Sequence, residues 1–274
     1  MKTGWGSDNW GRLNELGGEG PSIEFLDLMA GLPGFRKARA GLVRALGLRP
    51  GMQVLEAGCG PGTSLPLLAR VVGRRGAVVG TDLTRAFVAE ARRRCRAAGL
   101  ANVTCRVGDI RRLPFRAGVF DAALCDKVLM HAGPTEVAIA ELMRVTRSGG
   151  GVGAIEWDVP ATCLNSRDPA TTEALIANNR RNQYNGTVSR RLGEYFHGAG
   201  LTRVKVVPGF VHATALRGTQ FWRAYLARIA MRGLEAGVFD EGGKARWLDE
   251  LESLDRAGGF YVLVPVNYAV GTKA

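Results

Sequence analysis

The stretch VLEAGCGPGTS, Val54 to Ser64, decides the fold. An apolar run ends in three glycines on alternate residues, Gly58, Gly60 and Gly62, and an apolar helical pattern starts directly behind them at Leu65. Strand, glycine turn and helix in that order place free backbone N–H groups and the positive end of a helix dipole at the carboxyl edge of a sheet, where an anionic or polar ligand is favoured. The spacing is G-x-G-x-G rather than the dinucleotide pattern G-x-G-x-x-G, and no G-K-[ST] follows, which excludes the phosphate loop of nucleoside triphosphatases.

Working outward, Met52 to Ala57 reads as the first strand and Leu65 to Val72 as the helix behind the turn. Ala77 to Thr81, Asn102 to Val107, Val119 to Cys125 and Val152 to Glu156 read as further strands. Between them, apolar residues recur at helical spacing through Phe87, Val88, Ala91 and Cys95, and again from Thr135 to Val145, where Ser148-Gly149-Gly150 is expected to stop the helix. Upstream, Gly34 to Leu46 is helical. Strands alternating with helices imply parallel pairing through crossover helices, hence an α/β, doubly wound sheet over roughly the first 156 residues.

Beyond Asp158 the rhythm breaks. Asp168 to Asn182, Ser189 to Ala199, Gln220 to Ala236 and Glu241 to Ala257 read as helices, and Thr202 to Val207 and Val264 to Gly271 as strands, with Pro265 at a strand start or a bulge. Helices that no crossover requires form a cap over the ligand edge of an α/β sheet. The expected organisation is an N-terminal lid segment at residues 1–33, in which Trp5 and Trp10 read either as part of the lid or as tethered tail residues, and one domain at 34–274 with cap helices at about 160–186 and 218–258.

Three acids close the first three strands, Glu56, Asp82 in GTDL and Asp109 in VGDI. A carboxylate at the end of the second strand can accept from both hydroxyls of a ribose. At the third, Asp109 can accept from an exocyclic amine while the Ile110 N–H donates to a ring nitrogen. The plainer reading of Asp82 and Asp109 is that they cap the turns that follow.

VLEAGCGPG, GTDL, GDIRRLPF, FDAALCDKVLMH and ELMRVTRSGGGVGAIEWD, taken in order, resemble the successive motifs of the class I S-adenosylmethionine-dependent methyltransferases, within the menaquinone-methyltransferase-like and natural-product small-molecule group. The resemblance covers about Gly51 to Asp158. It implies a Rossmann-like, seven-stranded sheet of order 3-2-1-4-5-7-6 with the last strand antiparallel, and S-adenosyl-L-methionine as cofactor. It further implies that Gly58, Gly60 and Gly62 admit the methionyl part, that Asp82 holds the ribose and Leu83 packs on the adenine, that Asp109 and Ile110 read the adenine edge, and that Asp126 sits near the sulfonium. Glu56 stands where the family often has Asp, and Ser148 where it usually has Pro.

Methyl transfer from a sulfonium is an in-line displacement, so it needs alignment in a dry pocket and often a base for the acceptor's proton. Of the three histidines, His131 in DKVLMH follows the fourth strand and is the base candidate, with Asp158 in IEWD beside it. His131 reads equally as a structural residue bonding a backbone carbonyl, and Asp158 as the partner of an arginine. Aromatics of the late half, Trp157, Tyr184, Tyr195, Phe196, Phe221, Trp222, Tyr225 and Trp247, can line an apolar acceptor pocket, a minority of them facing the ligand.

Composition bounds the alternatives. The net charge of +12 invites a nucleic-acid reading, yet the arginines are scattered, and Cys125-Asp126-Lys127-Val128 stands where base-amine methyltransferases carry a D/N/S-P-P-aromatic motif. Five widely spaced cysteines without C-x-x-C argue for reduced thiols in a cytoplasmic protein and against a metal site. The N-terminus lacks an apolar signal core, and no uncharged apolar run is long enough for a membrane span. The reading is a methyltransferase for a small hydrophobic or aromatic metabolite, acting as monomer or homodimer in secondary metabolism. Its alternatives are an RNA methyltransferase and a protein that binds the cofactor as a cyclase without transferring methyl.

Overall fold

A computed structural model describes residues 19–180 and 183–274. Trp5, Trp10 and the first eighteen residues of the expected lid lie outside the described residues. Two helices, α1 (Glu19–Gly31) and α2 (Pro33–Ala45), precede the quoted stretch, in which strand β1 (Gln53–Ala57) turns through the glycines into α3 (Leu65–Val72). Then follow β2 (Ala77–Asp82), α4 (Arg85–Ala97), β3 (Val103–Val107), β4 (Phe120–Asp126), α5 (Thr135–Val145) and β5 (Thr146–Trp157). The second half holds α6 (Pro169–Arg180), α7 (Leu192–Gly198), β6 (Thr202–Ala213), α8 (Gln220–Glu235), α9 (Glu241–Arg256) and β7 (Val262–Thr272).

The seven strands lie in the order β3-β2-β1-β4-β5-β7-β6, with β7 antiparallel to both neighbours, as the resemblance implied. A two-residue bridge, Cys163–Leu164, continues the row of β5 along β7. Register aligns the carboxyl ends: Ala57 lies opposite Thr81, Asp82 opposite Val107, and Asp126 opposite Ile155. The turns after β1, β2, β3 and β4 therefore open on one edge, where open α/β sheets bind ligands.

The apolar runs become strands because both faces are covered. In β5, Gly151 and Gly153 approach Leu46 and Leu42 on the α2 side, while Val152 and Ala154 are buried on the other face. Val54, Leu55, Phe35, Leu42 and Leu65 are almost fully buried, each contributing roughly 1.5–3 kcal/mol of burial.

Three boundaries depart from the sequence expectation. The helix α5 ends at Val145 as expected, but β5 begins at Thr146 rather than Val152 and takes in Ser148-Gly149-Gly150, because Thr146 is already extended (φ −82°, ψ 138°) and its hydroxyl satisfies the Leu142 carbonyl at 2.7 Å. Strand β6 continues past Pro208 and Gly209 to Ala213, since as the edge strand it needs no ladder bond on its outer side. Pro265 sits in the fourth position of β7, where its carbonyl accepts from Asp158 N–H at 2.8 Å; its donorless nitrogen faces the side on which β5 pairing has just ended at Trp157↔Val266.

The late helices tie to one another. Trp247 of α9 donates to Thr172 of α6 at 2.9 Å, and Asn178 of α6 donates to the Arg232 carbonyl of α8 at 3.0 Å. Helix α1 meets α8 through Phe25, whose ring lies 5.2 Å from Phe221 and 3.6 Å beneath the Arg228 guanidinium. Among the described residues no helix is long and apolar enough to cross a membrane.

Candidate functional site

A cavity of about 580 Å³ opens where the strand ends meet the late helices. Its floor is Gly58, Gly60, Asp82, Leu83, Asp109, Ile110 and Asp126, from the turns after β1 to β4. Its roof includes Phe25, Trp157, Tyr184, Tyr225, Arg228 and Arg232. His131 and Lys127, in the segment after β4, also line it.

Two glycines shape the floor. Gly58 has φ +76°, and a Cβ there would stand 2.3 Å from Val128 Cγ2; its N–H donates to the Thr81 carbonyl at 2.7 Å. Gly60 has φ +53°, and a Cβ there would project to within 3.7 Å of Leu26, a cavity-lining side chain of α1. Both positions favour glycine, and at Gly60 the missing Cβ leaves room for a ligand against bare backbone.

Asp82 anchors this turn. One carboxylate oxygen accepts from Gly60 N–H at 2.9 Å and the other from Thr84 N–H at 2.8 Å. Burial still pushes its carboxyl above the usual range, against the lowering effect of those two amides. The Thr84 side chain adds a third hydrogen bond, and the four lone-pair sites of the carboxylate leave room for a further donor. Leu83 beside it is 42% exposed, an apolar surface facing the cavity. Asp109 is engaged differently. Burial acts to raise its carboxyl, but Arg111 grips both oxygens with its side chain, the shortest contact being 2.6 Å, and donates its backbone N–H at 2.8 Å, and this holds Asp109 below its ordinary value.

At the end of β4, Asp126 is held between Arg39 (2.5 Å) and Lys127. Burial opposes its ionisation, but these two cations prevail and its pKa falls to about 2. Arg39 also donates to the Ala30 carbonyl at 3.0 Å, tying α2 to the end of α1. Lys127 adopts φ +60° and lies 4.6 Å over the Phe35 ring. A non-glycine residue in that region costs on the order of 1–3 kcal/mol, and here it bends the chain so that Val128 and Leu129 N–H groups point at Glu156, at 2.9 and 2.7 Å. His131 sits one turn further on. Burial, with Arg232 nearby, lowers its pKa to about 4, so it is neutral at pH 7.

Three expected site residues lie off the cavity wall. Glu56 is buried within β1 and accepts from the Ser64 hydroxyl at the start of α3; burial raises its pKa to about 7. Gly62 packs against Ala91 of α4, so it serves helix packing rather than ligand approach. Asp158, beyond β5, is turned away by its backbone bond to Pro265 and forms a two-pronged pair with Arg190 at 2.5 and 2.7 Å. This removes Asp158 as a base and matches its plainer reading as an arginine partner. Of the eight late aromatics, Trp157, Tyr184 and Tyr225 line the cavity, Phe196, Phe221, Trp222 and Trp247 are buried elsewhere in the core, and Tyr195 lies off the cavity under the Arg191 guanidinium.

Arg39, Lys127, Arg111 and the α8 residues Arg228 and Arg232 were not singled out from the sequence. For Arg39 a signal existed, since it falls on the buried face that α2 forms with Phe35, Ala38 and Leu42. Among the described residues no cluster of His, Cys, Asp or Glu could hold a metal ion.

Comparison with known proteins decides the family. A family profile described as a methyltransferase domain matches residues 54–150, from β1 into β5. An uncharacterised 37.1 kDa protein in a transposon of Streptomyces fradiae is 32% identical over 90% of this chain and 70% of its own length. A demethylmenaquinone methyltransferase from Beutenbergia cavernae is 38% identical over 44% of this chain. The chain belongs to the class I S-adenosylmethionine-dependent methyltransferases. It is thus a methyltransferase enzyme with S-adenosylmethionine as cofactor. The match spans about half the length of the menaquinone-pathway relative, 48%. The fold is shared with phosphoethanolamine N-methyltransferase 2 of Haemonchus contortus in complex with S-adenosyl-L-methionine, at a TM-score of 0.62 and 18% identity, over 97% of this chain and 60% of that one.

Proposed function

We propose that this methyltransferase acts on a small, apolar or aromatic metabolite of secondary metabolism, bound beneath a cap formed by the late helices at about 160–180 and 218–258 and a lid that includes α1. One observation supports this reading above others: a single cavity joins the strand ends that suit the cofactor to aromatic side chains of the late half, Trp157, Tyr184 and Tyr225. Its volume lies within the range of small-molecule sites.

The floor fits the cofactor. When bound, S-adenosylmethionine supplies an electrophilic methyl group on a sulfonium. Gly58 and Gly60 offer bare backbone to its amino-acid portion, and Asp82 accepts from the ribose hydroxyls. Leu83 covers one adenine face and Ile110 meets its edge. Asp109 reaches the adenine amine once Arg111 swings outward, because Arg111 now occupies both its oxygens. Asp126, neutralised by Arg39 and Lys127, contributes position more than charge at the sulfonium end.

On the acceptor side, His131 takes the proton. A base of pKa about 4 is weak, but a hydroxyl or amine becomes strongly acidic as its new bond to carbon forms, so a late proton transfer to neutral imidazole suffices. Trp157, Tyr184 and Tyr225 exclude water, which keeps the displacement from being lost to hydrolysis.

The test uses methyl-labelled S-adenosylmethionine with a panel of hydroxylated aromatic metabolites and, separately, total RNA. The expected result is one S-adenosylhomocysteine released for each labelled small molecule. Label entering RNA alone would overturn the acceptor class, and product formation without S-adenosylhomocysteine would overturn methyl transfer to that acceptor.

A further inference from the structure

Four residues of α8 face the cavity at helical spacing, Tyr225, Arg228, Ile229 and Arg232. Two of them are arginines one turn apart, and like charges at i, i+4 repel. Their guanidiniums are both lowered from the ordinary value, by burial first and then by each other for Arg228, which falls to about 10. Arg228 lies over the Phe25 ring, while Arg232 donates to Asn179 and is attracted by Glu235 at the helix end. The carboxylates of the lining are engaged on the floor: Asp82 by backbone amides, Asp109 by Arg111, and Asp126 by Arg39 and Lys127.

The same face carries a polar group with an unfilled need. The Tyr225 hydroxyl is buried beside the Thr162 and Asn179 side chains, with neither at full hydrogen-bonding geometry. Burial raises it to about 12, so it keeps its proton and can only gain by donating it to an acceptor. A helix face with two buried guanidiniums and one buried O–H donor, on a roof that also carries Trp157 and Tyr184, is complementary to negative charge on a flat molecule.

We propose that the methyl acceptor carries an oxyanion, a carboxylate or a phosphate group, which Arg228 and Arg232 bind together with the Tyr225 hydroxyl while its apolar body lies against Trp157 and Tyr184. The inference rests on the reading of this cavity as the acceptor pocket and adds the charge of the substrate to it. Binding would relieve the repulsion between the two guanidiniums and satisfy the tyrosine in one step.

The experiment is thermal unfolding of the protein saturated with S-adenosylhomocysteine, titrated with benzoate, phenyl phosphate and neutral benzamide at constant ionic strength. Ligands of the folded state raise Tm with concentration. Benzoate, phenyl phosphate or both should raise Tm, whereas benzamide at equal concentration should not; the larger response tells carboxylate from phosphate. Arg228→Met and Arg232→Met should each weaken the anion about tenfold or more, with S-adenosylhomocysteine affinity unchanged and Arg232→Lys retaining part of the response. An equal response to benzamide, an anion response that survives the double methionine variant, or no response to either anion would overturn the proposal. So would loss of S-adenosylhomocysteine affinity in the variants, which would assign the arginines to the cofactor. Failure of the wild-type protein to bind S-adenosylhomocysteine at all would strike the cofactor reading instead, and calorimetry on the unliganded protein reads that separately.

Discussion

Asp82 carries the sharpest prediction at the scale of single residues. Its carboxylate already organises the glycine turn through Gly60 and Thr84, so Asp82→Ala removes two amide acceptors as well as the proposed ribose contact. Calorimetry should show S-adenosylhomocysteine affinity reduced by about 1–3 kcal/mol, with some loss of Tm; unchanged affinity would show that the ribose lies elsewhere. For His131, the pKa of about 4 makes the neutral form constant from pH 5 upward, so kcat should be independent of its titration between pH 6 and 9. His131→Ala should lower kcat by about a hundredfold, and an unchanged kcat would return His131 to a structural role. The floor residues Gly58, Gly60, Asp82, Asp109 and Asp126 were legible in the sequence because chain order puts them just past strand ends, and a parallel sheet brings those ends together. Arg39, Lys127 and Arg111 were not, because their place depends on which carboxylate each meets after folding. Asp158 misled for the same reason, lying past a strand end but rotated toward Arg190.

At the scale of elements, α1 and α8 form one roof. Phe25 stacks beneath Arg228 and beside Phe221, so it fixes the entry of α1 over the cavity. Phe25→Ala should cost about 1–3 kcal/mol of stability and weaken ligand binding, read as a lower Tm and faster proteolysis near α1; full protection of α1 in the variant would show that other contacts hold it. The period of α8 was plain in the sequence, but its cavity face was not. Arg228 and Arg232 are not distinguished in the sequence from the other scattered arginines, and only tertiary structure shows that they point inward. The end of α5 at Val145 was legible in the sequence, but its cause was not: Thr146 ends the helix through its own hydroxyl bond, and Ser148-Gly149-Gly150 belongs to β5.

At the scale of the whole molecule, buried acids under the sheet edge give the protein a pH signature. Burial raises Glu56 to about 7 and Glu156 to about 8, against the ordinary 4.5 that they recover on unfolding. A group whose folded pKa is raised contributes stability that is complete below its unfolded pKa and is lost as pH climbs through its folded pKa. His131, shifted the other way, makes most of its change between pH 4 and 6.5 and adds back only about 0.4 kcal/mol above that. Stability should therefore fall between pH 6.5 and 8, by on the order of 2 kcal/mol, and Glu156→Gln should flatten most of that slope. Chemical denaturation across that range measures it, and a rise in stability would contradict the assignment. Alternation of strands and helices was enough to read a doubly wound sheet over the first half. The order of the last three strands was not, because nothing local in a strand records its neighbour, and it came from the resemblance of the motifs.

The decisive experiment is the structure of the protein with S-adenosylhomocysteine bound. The ribose hydroxyls should lie on Asp82, the adenine against Leu83, and the sulfur should face a cavity that ends at His131, Trp157 and Tyr225. Cofactor product bound away from Asp82, or a sulfur with no open space between it and α8, would contradict this arrangement.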